Sequence, residues 1–223
     1  TMVSSLSHED ALNLIEKHFG MWNGEKPENI EIIKEKNKKV TEINYKKDIE
    51  QSTIVYLYTF YDINKEDELP LRILNHRLGE SSNSLLFREV REKRGLAYDI
   101  YTHLEITNNI KTLYIYTAVG EENINEAKDS IDETLENIVQ GKIVIGERDL
   151  EIMKKVHKTA VISTLEDSSE LCNYMLHQAL EDEDIYEFLK DMDRLNTLNM
   201  DKINKISRKV LKDPTIHILK SGN

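Results

Sequence analysis

Hydrophobic positions change period several times along the chain, and each change marks an element. Ala11, Leu14, Ile15, His18, Phe19 and Trp22 recur at helical spacing. Ser7 to Asp10, just before them, places a carboxylate three residues after a serine, as a capping box does. This predicts an amphipathic helix that docks one face on a core. Residues 23–37 are polar, contain Pro27 and read as a connection with a short strand at Ile30–Ile33. Period two then takes over, weakly in "VTEINY" (40–45) and strongly in "STIVYLYTFY" (52–61). The second run is β-branched and aromatic at nearly every position, which predicts a strand buried on both faces or nearly so.

Helical spacing returns in "NKEDELPLRILNHRLG" (64–79), with Leu71, Leu74 and Leu78 in line; Pro70 fits only a first turn. "ESSNS" is a serine-rich cap, followed by a short helix with Leu86 and Val90 that ends on Gly95. In "LAYDIYTHLEI" (96–106), Leu96, Tyr98, Ile100, Thr102, Leu104 and Ile106 share one face. "KTLYIYTAV" (111–119) alternates too, and "TNNI" between them suits a hairpin turn. Next, Asn123 and Glu126 stand at capping-box spacing ahead of the stripe Ile124, Ala127, Ile131, Leu135 and Ile138. A long helix carries Leu150, Met153, His157, Ala160, Val161 and Thr164, and shorter ones cover about 168–181, 184–192 and 197–211. Pro214 stops the last, and "TIHIL" (215–219) is a closing strand. About five strands with a central hairpin and late helices predict an α+β fold: one antiparallel-rich mixed sheet with helices on one face, as a single domain over 1–223.

Composition narrows the function. A net charge of −11 argues against a nucleic-acid partner, because phosphate contacts need a basic surface. No apolar run approaches the length of a membrane span. Cys172 is the only cysteine, so no internal disulfide forms, which fits a cytoplasmic chain. The opening "TMVSSLSHEDAL" looks like the tail of a strand entering a helix, so the polypeptide is expected to extend upstream.

Few residues offer chemistry. The seven histidines show no metal-ligand spacing, and there is no H-x-x-E-H. His157 and His18 sit on apolar stripes as core or interface histidines; His103 falls on a polar strand face. Cys172 lacks a cationic neighbour and reads as a buried, inert thiol. The serines of "LGESSNSLL" fit helix capping better than an anion site. "LEDEDIYE" (180–187) reads as a solvated helix junction. One constellation remains. "FREVREKRGLAYDIY" (87–101) places Arg88, Arg91, Lys93 and Arg94 at a helix end, turns at Gly95 and reaches Tyr98. Spacing alone leaves two readings open: basic residues complementing the helix dipole, with Tyr98 in the core, or a binding site.

The stretch "LNHRLGESSNSLLFREVREKRGLAYDIY" resembles the non-zinc domain of insulinase/pitrilysin-type metallopeptidases, the family that includes mitochondrial processing peptidase. The first helix, the strand at 52–61 and the late helices follow in family order. The resemblance implies a metallohydrolase-type α+β domain that pairs with a zinc-bearing homologous domain or subunit as a dimer or pseudo-dimer. Zinc is expected in that partner, on H-x-x-E-H; this chain has none, so alone it would be inactive as a metalloendopeptidase. The resemblance also implies that Arg91 and Tyr98, seven residues apart, bind the peptide substrate near the scissile bond, with Gly95 making the turn between them. The family turn is usually richer in glycine, and Glu80 departs from it. The alternative is a catalytically inert scaffold or assembly subunit of the same fold.

Overall fold

Side chains on β2 (Ser52–Phe60) alternate strictly between fully and partly buried, so the sheet has one closed face and one face open at least in part. The expectation of burial on both sides or nearly so is met in its weaker form: Val55 and Leu57 are partly buried, while Ile54, Tyr56 and Tyr58 are at most 1 % exposed. The computed structural model describes residues 1–24, 33–35, 37–107, 110–143 and 146–222. The strand expected at Ile30–Ile33 lies outside these, Ile33 apart, as do Asn108 and Asn109 of the hairpin turn. Packing divides the chain into two compact units, Thr1–Ile33 with Lys158–Lys190, and Lys34–His157 with Asp191–Asn223.

The larger unit holds the sheet, in the order β1-β5-β2-β4-β3. β1 (Val40–Lys46) runs parallel to β5 (Thr215–Ser221); β2, β3 (Ala97–Ile106) and β4 (Lys111–Val119) complete it with antiparallel pairs. The core on its closed face joins Ile54, Leu113 and Ile115 to Leu71 and Leu74 of α2 (Lys65–Asn75), Ile131 of α3 (Ile124–Val139) and Ile203 and Ile206 of α7 (Met200–Val210). The α3 stripe is buried as expected. Its cap is not: Asn123 ends a short 3₁₀ turn in helical conformation and makes no side-chain cap. Asn64 caps α2 by accepting from the Asp67 N–H at 3.0 Å. That start puts Pro70 in the second turn rather than the first, where it forfeits one helical hydrogen bond.

The chain then passes through two wide π-type turns, His76–Glu80 and Phe87–Glu92. Gly79 is squeezed against β3: a Cβ there would lie 2.5 Å from the Thr102 Cγ2 and 2.7 Å from its backbone nitrogen. Gly79→Ala should therefore destabilise the unit by about 1–3 kcal/mol through overpacking against backbone. Urea unfolding of the variant checks this.

The smaller unit contains α1 (His8–Phe19), α5 (Ser168–Leu180) and the C-terminal part of α4 (Glu147–Glu166). Ser7 caps α1 by accepting from the Asp10 N–H at 3.1 Å, as the sequence predicts. The expected docking does not appear: no residue of α1 is buried, and His18 is exposed with Leu12 and Phe19. Spacing makes the apolar stripe, of which Ala11 is partly buried. Asp167 caps α5 through the N–H groups of Ser169 and Glu170. Cys172 is partly buried rather than buried, with the Thr1 hydroxyl 3.2 Å from its sulfur. Beyond α5, Asp182 at φ 55° and Asp184 accepting from the Tyr186 N–H form the junction read from the acidic run. The helix expected at 184–192 is α6 (Glu187–Thr197).

Candidate functional site

Ser84, fully buried, starts the basic segment by accepting from the Phe87 N–H at 3.4 Å. The wide turn that follows is closed by two nested bonds, Gly95 N–H to the Arg91 carbonyl and Leu96 N–H to the Val90 carbonyl, both 3.0 Å. Each spans one residue more than in the usual glycine-terminated helix end, in keeping with the wide turn. Gly95 takes φ +65°, the left-handed region that a Cβ disfavours.

Directly after it, β3 carries a bulge. Ala97 pairs with Val119 and Asp99 with Ala118, leaving Tyr98 as the extra residue. The strict alternation read from the sequence fails at this point. Ala97, Ile100 and Thr102 face the core, whereas Tyr98 is 76 % exposed. Tyr98 is therefore not a core residue. Inserting one residue shifts the phase of the strand, and the ring turns out to solvent.

The Arg91 guanidinium lies against this ring, with Cζ 5.2 Å from the Tyr98 centroid and 4.6 Å from the Phe87 centroid. Phe87, itself packed on the core, thus also holds Arg91, a role not read from its place in the sequence. The neighbouring cations are already paired. Arg88 and Lys93 meet Glu89 at 4.0 and 2.6 Å, and Arg94 meets Glu133 of α3 at 2.6 Å. Arg94 is thus anchored to another helix rather than left to solvent. Among the described residues no carboxylate pairs with Arg91, and the Tyr98 hydroxyl has no hydrogen-bond partner. The structure brings together the residues nominated from sequence: Arg91 and Tyr98 in contact, and Gly95 at the turn between them.

The upstream turn is tied down by polar contacts. Glu80 accepts from the Asn75 amide at 3.2 Å and sits 3.7 Å from the His76 Nδ1. The neighbouring His76 imidazole lowers the Glu80 pKa from the ordinary 4.5, against a smaller opposing effect of burial. Burial, and then the Arg72 charge, lower the His157 pKa from 6.5. Both shifts have the same sign in linkage: the unfolded chain binds protons more readily. The His157 contribution is complete above pH 6.5 and is lost as pH falls below it; the Glu80 contribution is lost below 4.5. Urea midpoints should fall from pH 7.5 to 5.5, and His157→Gln should flatten that interval alone. Outward along β3 and β4, Tyr101 stacks on Tyr116 at 5.1 Å and His103 on Tyr114 at 5.2 Å, an aromatic row that the strand periodicity did not reveal.

Among the described residues, no group of three or more His, Cys, Asp or Glu side chains could hold a metal ion. No helix among them is long and apolar enough to cross a membrane. The fold defines an α+β domain built on one five-stranded mixed sheet. A protease from Helicobacter pylori superposes with a TM-score of 0.83 at 20 % identity, covering 98 % of this chain and 54 % of its own. The peptidase M16 inactive domain from Pseudomonas fluorescens gives 0.77 at 16 % identity, covering 98 % and 52 %. In sequence, the chain is 27 % identical over 201 residues to the "Uncharacterized zinc protease YmxG" of Bacillus subtilis, covering 88 % of this chain and 47 % of the relative. The chain therefore spans about half the length of that relative. Residues 1–156 match the family described as Peptidase M16 inactive domain, and the chain belongs to that family.

Proposed function

We propose that this chain is the substrate-binding, non-catalytic part of a zinc metallopeptidase, in which Arg91 and Tyr98 bind the peptide at a zinc site carried by a homologous domain or subunit. The observation that carries the proposal is the state of Arg91. Every other cation of the basic segment has a carboxylate; Arg91 lies against two rings, its planar donor fork unpaired among the described residues, beside an exposed phenol. That arrangement suits a carbonyl oxygen: the guanidinium fork holds the substrate backbone, and the tyrosine hydroxyl donates to the oxygen as it gains charge. Neither group activates water, and neither is a metal ligand of the usual kind. When bound in the other half, zinc supplies a polarised carbonyl and a nucleophilic water. The zinc-protease names of relatives about twice as long support this division of labour.

The test is reconstitution. The isolated chain should bind no stoichiometric zinc and cleave no peptide; one tightly held zinc per chain would overturn the assignment. Mixed with, or fused to, the zinc-bearing half, it should restore hydrolysis of a fluorogenic peptide. If hydrolysis is restored and Arg91→Ala and Tyr98→Phe leave it unchanged, the chain is a scaffold of the same fold.

A further inference from the structure

The larger unit also holds a pocket that no residue of the basic segment lines. The start of β1, the middle of α3 and the turn between α7 and β5 enclose a pocket of about 640 Å³, within the range of small-ligand sites. Tyr58 lines this pocket although only 1 % of the residue is exposed, so the little that reaches the surface reaches it there. Its hydroxyl has no hydrogen-bond partner among the described residues and is open to whatever occupies the pocket. The groups that could satisfy it are engaged. Asp132 accepts from the Tyr56 hydroxyl at 2.7 Å and from Lys128 Nζ at 2.6 Å. Leu135, Val139, Leu211 and Ile216 supply apolar walls.

The charges decide what kind of ligand fits. Lys128 is neutralised by Asp132, and Lys39 at the rim by Asp213 at 3.3 Å. Burial first, and Asp132 second, raise the Tyr58 pKa, so the hydroxyl stays protonated and acts as a donor. An acceptor is therefore wanted, but an anion at this depth would face Asp132. Lys212 at the rim would draw an anion, which makes a carboxylate of the same shape the right control.

We propose that this pocket binds an uncharged amide with an apolar body, the Tyr58 hydroxyl donating to the amide carbonyl and the body lying against Leu135, Val139, Leu211 and Ile216. The probe is 4-phenylbutanamide, titrated at pH 7 into the chain and followed by methyl NMR of those four residues. Saturable shifts are expected, with binding weakened about three- to tenfold by Tyr58→Phe, the size of one net hydrogen bond. The anion 4-phenylbutanoate should bind more weakly than the amide. Tyr58→Phe removes only an unpartnered hydroxyl, so the fold should persist, and unperturbed methyl positions confirm it. Val139→Trp, which fills the pocket, should abolish the shifts and serves as the second variant. Three results would overturn the proposal: no saturation at these methyls, equal affinity in Tyr58→Phe, or a carboxylate that binds as tightly as the amide. Binding that survives Val139→Trp would place the ligand elsewhere.

Discussion

Tyr98→Phe should lower kcat of the assembled peptidase about 10²–10³-fold, the usual cost of losing one donor to a developing oxyanion. The substitution is clean. Phenylalanine keeps the ring that meets the Arg91 guanidinium at 5.2 Å and removes only the hydroxyl. The side chain is 76 % exposed, so stability should not change. If the hydroxyl acts on the transition state, kcat and kcat/KM fall together and KM stays constant. A rise in KM alone would mean that it holds the ground-state peptide instead. Arg91→Lys separates charge from shape, since lysine keeps the cation and loses the planar fork. It should behave like Arg91→Ala if the fork is what matters. Parallel melting curves exclude unfolding as the cause.

The second large effect is on stability, at a buried ion pair. Lys111 opens β4 on the core side of the sheet, with its side chain 7 % exposed, and its ammonium meets Glu68 of α2 at 3.1 Å. Glu68 also meets Lys65 at 3.3 Å, whereas the Lys111 ammonium is otherwise held by the Thr107 carbonyl at 3.3 Å. Removing either partner leaves the other under-compensated, but not equally. Glu68→Leu strands the lysine in the core and should cost about 3–5 kcal/mol. Lys111→Met leaves Glu68 with Lys65 and should cost less. The double variant Glu68→Leu/Lys111→Met should regain most of the loss, because a packed apolar pair can replace a buried ionic one. Urea unfolding of the three variants forms a double-mutant cycle; simple additivity would show that the two charges do not interact.

Much of the fold could be read from period alone. β2, the β3–β4 hairpin, the α3 stripe and β5 lie close to where the alternation and helical spacing put them. Other points were out of reach. Lys111 sits at an inward position of an alternating run, and nothing local tells whether such a lysine is paired or frays the strand. Its partner comes from a helix more than 40 residues earlier in the chain. The α1 stripe shows the reverse case. Its spacing and its Ser7 cap specify the helix, but they carry no information on what packs against Leu14 and Phe19.

The candidate site divides in the same way. Sequence alone determined an α+β chain with a basic helix end, a glycine turn and a tyrosine, and a family motif nominated Arg91 and Tyr98 from it. Only the tertiary structure decided which groups are free to act. The break in β3 was faintly visible in "LAYDI", where Ala97 and Ile100 fit one inward face only if a residue is skipped. The pairing of Ala97 with Val119 and of Asp99 with Ala118 is what makes the skip real and turns Tyr98 outward. Likewise, among the described residues Arg91 is the cation of the segment without a carboxylate, since Glu89 meets Arg88 and Lys93 and Glu133, 39 residues from Arg94, meets Arg94. The physical reason is common to both. Periodicity records what each residue does with its near neighbours, whereas the phase of a strand across a bulge and the sharing of carboxylates among cations are settled by contacts between segments that meet only once the chain has folded.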